Sequence, residues 1–181
     1  MKITFLTALA ATSLFALTSA FAEGKMSDAD AKAMKKLAEA NQAEIATGKL
    51  AVDKAKNPQV KQFGQRMVDD HTKMLDELKK LAEAKGVSLP GSPAMEDRAS
   101  AIKLRTRSGD NFDKDYMSEM VKDHEKDVQE TQQLASSVQD PQLKSAIQSA
   151  HSKIQEHLAM AKQIAGSQGA AGGTSSQSNK K

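Results

Sequence analysis

Four ionisable side chains in the sequence have types and spacing suited to holding one transition-metal ion. They are one glutamate and three histidines: Glu44, His71, His124 and His157. Imidazole nitrogen is a good ligand for zinc, copper, iron or nickel, and carboxylate oxygen binds divalent metals too. Two methionines, Met67 and Met120, would shift the preference towards copper(I) if their thioether sulfurs joined the set. We therefore predict a site for a single copper, zinc or iron ion.

Each of the four side chains lies on the apolar face of a predicted helix. At about 100° per residue, His71 falls close to Met67 and Leu78, and Glu44 shares a face with Ala51. By the same count, the other two histidines of the set also point inward. Each of four helices is therefore expected to direct one ionisable group into a shared core.

Depth along the helices is a second test, because ligands for one ion must lie at one level. Glu44 and His71 lie at nearly equal separations from the turn at Asn57, so at a rise of about 1.5 Å per residue their depths differ by only about 1.5 Å. His124 and His157, on either side of the next short turn, differ by about 3 Å on the same measure. We expect all four groups near the middle of the bundle.

The elements that must position these groups are four long amphipathic helices. Pro favours the first position of a helix and Asn or Asp the position before it, so Asn57-Pro58 and Asp140-Pro141 mark two helix starts. Ser27 begins another in the manner of a capping box. The predicted spans are 27–56, 58–85, 110–138 and 141–165, with a short helix near 94–106.

The connections between the predicted helices indicate the fold class. Breaks of one or two residues separate the helices within each pair, which favours two antiparallel hairpins, and the linker 86–109 is long enough to cross a bundle. We predict an all-α fold, a ferritin-like four-helix bundle of two hairpins with a long crossover linker; a simple up-down-up-down topology is the alternative. The bundle domain is assigned to 23–165 and a disordered Gly/Ser-rich tail to 166–181.

The N-terminus has the pattern of a cleavable secretory signal over residues 1–22. Lys2 precedes an uncharged apolar run, and Ala20-Phe21-Ala22 is a small-x-small cleavage site. The chain has no cysteine, so a lipid anchor on such a residue is excluded. We expect a periplasmic or secreted protein with no membrane span once the signal is removed.

Composition excludes several functional classes. The net charge of +3 comes from interspersed acidic and basic residues, and there is no basic patch interleaved with aromatic residues, so a nucleic-acid partner is not expected. No nucleophile–base pair or cofactor motif is present, and we do not expect an enzyme. Without cysteines, stability must come from packing of the helices.

Several stretches around the same residues resemble one known family. They are Ala43-Glu44-Ile45, Gln65 to His71, Phe112 to Met117, Met120 to His124, and Glu156-His157-Leu158. The family comprises exported bacterial proteins often labelled predicted outer membrane protein, domain of unknown function 4142, of the ferritin-like superfamily. The resemblance implies a ferritin-like bundle and a periplasmic or envelope location, and it brings no established activity.

The sequence departs from the di-iron members of that superfamily. Those proteins use Glu-x-x-His on two helices, whereas the residues three before the histidines here are Val68, Val121 and Ile154. A di-iron centre is therefore not expected. An acidic residue directly precedes each of the three histidines in the sequence: Asp70, Asp123 and Glu156. Its side chain points about 100° away from that of the histidine, so we expect it to hydrogen-bond a ligand from outside the site or to face solvent.

Two functions follow from this reading. The first is a periplasmic metal-binding or metal-stress protein with one ion at the four groups. The second is a non-catalytic structural or interaction protein of the cell envelope, in which the buried polar cluster fixes helix register and binds no metal. The sequence does not specify an envelope partner or an oligomeric state.

Overall fold

The computed structural model describes residues 25–173, and this part of the chain forms five α-helices. The four long helices match the four predicted spans, and a short helix lies in the linker as predicted. None of the five is both long and apolar enough to cross a membrane. The predicted signal, residues 1–22, lies outside the described part of the chain. The helices are α1 (Asp28–Lys54), α2 (Pro58–Ala84), α3 (Met95–Arg105), α4 (Gly109–Ser137) and α5 (Pro141–Gly173).

Side-chain caps explain where three of the long helices begin. Ser27 Oγ accepts a 3.1 Å hydrogen bond from the Asp30 N–H at the start of α1. Asn57 Oδ1 accepts one of 2.8 Å from Gln59 at the start of α2, and Asp140 does the same for the first turn of α5. These bonds satisfy N–H groups that have no partner within the helix.

The last helix is longer than the sequence pattern predicts. Apolar periodicity stops near 165, but α5 continues to Gly173, so the first part of the predicted tail is helical. No proline follows residue 165 to break the helix, and Ala, Ser and Gln are compatible with a helical backbone. The remainder of the predicted tail, 174–181, lies outside the described residues.

Close approach of α1 and α2 depends on two glycines. A Cβ atom on Gly64 would lie 2.5 Å from the Ala51 Cβ, and one on Gly48 would lie 2.9 Å from the Gly64 carbonyl oxygen. Neither position has room for a side chain. α1 packs along α2 and α4 packs along α5, and further contacts join α2 to α5 and α1 to α4.

Two buried carboxylates connect the helix pairs at opposite ends. Asp30, on α1, accepts a 2.9 Å hydrogen bond from the Asp140 N–H in the α4–α5 turn. Asp113, on α4, accepts one of 2.7 Å from the Asn57 N–H in the α1–α2 turn. The start of α1 therefore lies beside one turn, and the start of α4 lies beside the other.

Two apolar clusters fill the interior, with polar residues between them. One contains Met34, Leu75, Leu78, Leu143 and Ile147. The other contains Phe63, Met67, Phe112, Tyr116 and Met120. On every long helix the residues of the two clusters lie on either side of one buried ionisable group along the chain: Glu44, His71, His124 and His157.

Candidate metal centre

Three of the four predicted ligands meet in the interior of the bundle. His71, His124 and His157 come from α2, α4 and α5, and one ring nitrogen of each lies within 4.8 Å of the others. Their ring centroids are 5.3–6.1 Å apart. All three side chains are buried, with relative exposures of 3%, 0% and 0%. The structure therefore brings these residues together, as their depth and direction on the helices predict.

The orientation of His71 is fixed by Asn41 on α1. The Asn41 Nδ2 group donates to the Leu37 carbonyl at 2.7 Å, which assigns its Oδ1 atom as the acceptor facing His71. The His71 Nδ1 atom lies 3.0 Å from that oxygen and must therefore carry the hydrogen. The lone pair of His71 is consequently on Nε2.

The other two histidines are fixed in the same way by oxygen acceptors. His124 Nδ1 lies 2.9 Å from the Met120 carbonyl oxygen, one turn earlier on α4. His157 Nε2 lies 2.8 Å from the Asp70 carboxylate on α2. Since these oxygens accept, each contacting nitrogen carries the hydrogen, and the lone pairs are on His124 Nε2 and His157 Nδ1.

The three remaining nitrogens are buried and, among the described residues, have no hydrogen-bond partner. Burial lowers the pKa of all three histidines, because a charged imidazolium is costly away from water. The pKa of His124 falls to about 4, with the neighbouring His157 contributing to the shift. The rings are therefore neutral at neutral pH, which is the form that binds metals.

The Asp70 carboxylate is held in its charged form. Burial raises its pKa, but the hydrogen bond from His157 and the charge of Arg66 lower it, and the net effect is a lowered pKa. Arg66 Nε lies 3.3 Å from the same carboxylate oxygen that contacts His157. A charged carboxylate behind a ligating imidazole makes the ring a better electron donor and fixes its orientation.

Glu44, the fourth predicted ligand, lies beside the three histidines but is not one of the converging group. Its side chain is buried, and with Asn41 and His71 it lines a cavity of about 40 Å³. Depth along the helix places Glu44 at the correct level, but it does not determine how far the side chain reaches. The hydrogen bond from α1 to His71 is made by Asn41, one turn earlier.

Met67 and Met120 are both buried in the aromatic cluster next to the histidines. They fill space between Phe63, Phe112 and Tyr116, a common use of methionine in a helical core. Met120 also holds His124 through its main-chain carbonyl. The structure thus gives the two methionines packing roles, and ligation by their sulfurs stays a prediction.

Tyr116 is a further polar residue at the site that the spacing of histidines did not identify. Its ring stacks on Phe112 with 5.8 Å between centroids, and its hydroxyl is buried without a hydrogen-bond partner in the part of the chain described. Burial raises its pKa well above the usual value, and the charge of Glu44 adds to that shift. Tyr116 and Glu44 therefore share one electrostatic environment next to the histidines.

The fourth histidine of the chain has a different setting. His151 is half-buried, and its Nδ1 lies 2.9 Å from the Thr131 hydroxyl, away from the converging group. That hydroxyl donates to the Asp127 carbonyl at 2.6 Å, so it accepts from His151. Substitution of His151 can therefore serve as a control for substitutions of the other three histidines.

Comparisons with known proteins give a family and no assigned activity. Neither the search of curated proteins nor the search of solved structures found a match. A family model described as a domain of unknown function, DUF4142, matches residues 16–164. This match covers most of the chain, including all six residues that form or hold the histidine cluster. The chain therefore belongs to the DUF4142 family.

Proposed function

We propose that this protein binds one transition-metal ion through His71, His124 and His157 and serves as a metal-binding or metal-stress protein of the bacterial envelope. One observation carries the proposal: three buried imidazole lone pairs converge, while the other nitrogen of each ring is held by an oxygen acceptor. Histidines that ligate metals commonly have this arrangement. Three such bonds also fix the tautomers before any ion binds.

The donor set determines which ions are proposed. Three neutral imidazoles suit zinc, copper or iron, and three histidines leave a coordination position for water or for a fourth ligand. Glu44 lies beside the adjoining cavity and is proposed for that position. The carboxylates of Glu44 and Asp70 also offset the cost of burying the charge of the ion. Metal–nitrogen distances of about 2.0–2.1 Å would require a small inward shift of the rings.

We also propose the ferritin-like arrangement for the bundle. The contacts of Asp30 and Asp113 support it, because they place the starts of α1 and α4 at opposite ends. The linker containing α3 must then return along the bundle, as a crossover connection does. The site proposed within this bundle is mononuclear. Val68, Val121 and Ile154 stand where Glu-x-x-His motifs would place bridging carboxylates.

Export is proposed from the signal pattern at residues 1–22. A transition-metal site with no cysteine ligand suits an oxidising compartment, where thiolate ligands are liable to form disulfides. We propose binding rather than catalysis as the activity. The only chemistry that binding requires is an ion held by neutral imidazoles at a buried site.

The experiment is a thermal melt of untagged protein with zinc, copper or iron, each compared with chelator. A ligand that binds only the folded state at about a hundredfold excess over its dissociation constant stabilises it by about 2.7 kcal/mol. We expect one of these ions to raise Tm in the wild type and to have no effect in His71→Leu or His124→Leu. His151→Leu is the matched control and should keep the metal-dependent rise.

If the protein is instead a structural bundle of the envelope, the same melts should give a different result for Tm. In that case the polar cluster only fixes helix register, and none of the three ions changes Tm. A wild type indifferent to all of them would remove the metal proposal. Elemental analysis of protein purified from the periplasm identifies which ion is carried in the cell.

A further inference from the structure

The cavity beside His71 extends from the buried site towards the surface. Its inner lining contains Asn41, Glu44 and His71, all buried. Its outer lining contains Lys36, whose side chain is 58% exposed, and Glu130, whose side chain is 30% exposed. A single cavity thus contacts both solvent-exposed charges and a histidine with an inward lone pair.

Two acidic residues and one buried threonine of α4 line this cavity. Asp127, Glu130 and Thr131 follow one another on the same face of α4 and all contribute to the lining. The Lys36 Nζ atom makes a 2.9 Å ion pair with Glu130 across the mouth, between α1 and α4. Burial raises the pKa of Glu130, but its bonds to Lys36 and the charge of Lys126 outweigh this and lower it, so the group is charged.

We propose that this cavity is the route by which a divalent cation reaches the three histidines, with Asp127 and Glu130 attracting the ion and the Lys36–Glu130 pair closing the mouth. This inference rests on the proposed metal site. The volume of about 40 Å³ accommodates a partly dehydrated ion, since one water-sized probe occupies about 10–15 Å³. Negative groups at the mouth of a narrow cleft raise the local concentration of cations.

The opposite side of the cluster is less suitable for access. There His157 presents its N–H to Asp70 rather than a lone pair, and Arg66 places a positive charge beside that carboxylate. Towards one end, the rings of Phe63 and Tyr116 belong to an apolar cluster. The cavity between α1 and α4 combines a passage, acidic groups and a free lone pair.

Charge-changing variants at the mouth should alter the rate of metal uptake in opposite directions. Lys36→Gln removes both the closing ion pair and a repelling positive charge, so uptake should become faster. Asp127→Asn removes attracting charge and leaves the Lys36–Glu130 pair in place, so uptake should become slower. Glu125→Gln is the matched control, because Glu125 is on α4, forms a 2.7 Å ion pair with Lys162 and does not line the cavity.

The measurement is stopped-flow absorbance of Co²⁺ binding to the full mature protein at low ionic strength, with Co²⁺ as the only added metal. We expect the uptake rate constant to rise at least about threefold for Lys36→Gln and to fall at least about threefold for Asp127→Asn. The differences should shrink at about 1 M salt, where charges are screened within about 3 Å. Glu125→Gln should match the wild type.

Each other result overturns something specific. Co²⁺ binding at one common rate by the wild type and all three variants would overturn the route and leave the metal site standing. An equal effect of Glu125→Gln would also overturn it, because general surface charge would then explain the rates. A wild type that binds no Co²⁺ would overturn the route for divalent cations, and the melts with zinc, copper and iron would then decide separately whether the metal site stands.

Discussion

His157 Nε2 lies 2.8 Å from Asp70 Oδ2, and this bond joins α5 to α2 at the level of the histidine cluster. It holds the His157 ring with Nδ1 facing the interior. The carboxylate that serves His157 is directly adjacent in sequence to His71 but supports a ring on another helix. Two members of the cluster are therefore coupled through a single short stretch of α2.

Replacing Asp70 with alanine should weaken metal binding without removing a ligand. Loss of a carboxylate behind a ligating histidine typically reduces metal affinity about 10–100-fold, because the ring loses its fixed tautomer and orientation. Competition with a chromophoric chelator for Zn²⁺ measures this change. Asp69→Ala is the control, since Asp69 is exposed and its side chain accepts a bond from Gln65 on the surface. Equal Zn²⁺ affinities in the two variants would contradict a supporting role for Asp70.

The stability of the metal-free protein should fall as pH is lowered from about 7 to about 5. The pKa of His124 is about 4 in the folded protein, against an ordinary value of 6.5, and burial lowers the pKa of His71 as well. Between these values the unfolded chain binds more protons than the folded one, so acid favours unfolding. The expected loss is roughly 1 kcal/mol per pH unit for His124.

Urea unfolding in the presence of chelator tests this pH dependence. His124 is faced by His71 and His157, with Glu44 beside them on α1, so the comparison must isolate one ring. The His124→Leu variant should show a shallower fall than the wild type over the same range. Carboxylates with lowered pKa contribute mainly at more acidic pH. Identical slopes for the two proteins would show that His124 is not kept neutral by the fold.

Gly64→Ala should destabilise the bundle, whereas Gly166→Ala should not. The new Cβ at 64 would lie 2.5 Å from the Ala51 Cβ and 3.0 Å from the Gly48 carbonyl oxygen, and neither neighbour can rotate away. Overpacking of this kind costs about 1–3 kcal/mol. At Gly166, within α5, nothing lies within 4 Å, and alanine should add about 0.5–1 kcal/mol through helix propensity. Unfolding in urea measures both variants. If the two substitutions changed the free energy of unfolding in the same direction, this explanation would be refuted.

The sequence predicts the helices and the level of the histidines well, because both depend on local rules. Caps at Ser27, Asn57 and Asp140 set the register of three helices, and a constant rise per residue then sets depth. The contacts between helices are harder to predict. Asp70 could not be assigned to His157 from sequence, because two bundle topologies were open and they differ in which helices are neighbours.

Side-chain reach is the second quantity that the sequence leaves undetermined. Glu44 and Asn41 lie one turn apart on the same face of α1, and periodicity treats them alike. Which side chain of α1 reaches His71 depends on how α1 packs along α2, and in the structure Asn41 is hydrogen-bonded to it. Such a contact depends on the packing of both helices together, which a pattern along one helix does not contain.

Asp30 on α1 accepts a hydrogen bond from the turn between α4 and α5, and Asp113 on α4 accepts one from the turn between α1 and α2. Each of the two helix pairs therefore supplies a carboxylate that binds the turn of the other pair. The same division runs through the proposed metal site, since His71 comes from the first pair, and His124 and His157 come from the second. A second copy of the chain offers the same carboxylates, turns and histidines. If the linker that contains α3 opened, two chains could exchange helix pairs and keep every one of these contacts. Each ion would then be held jointly by two polypeptides, so metal loading and dimer formation would become one equilibrium.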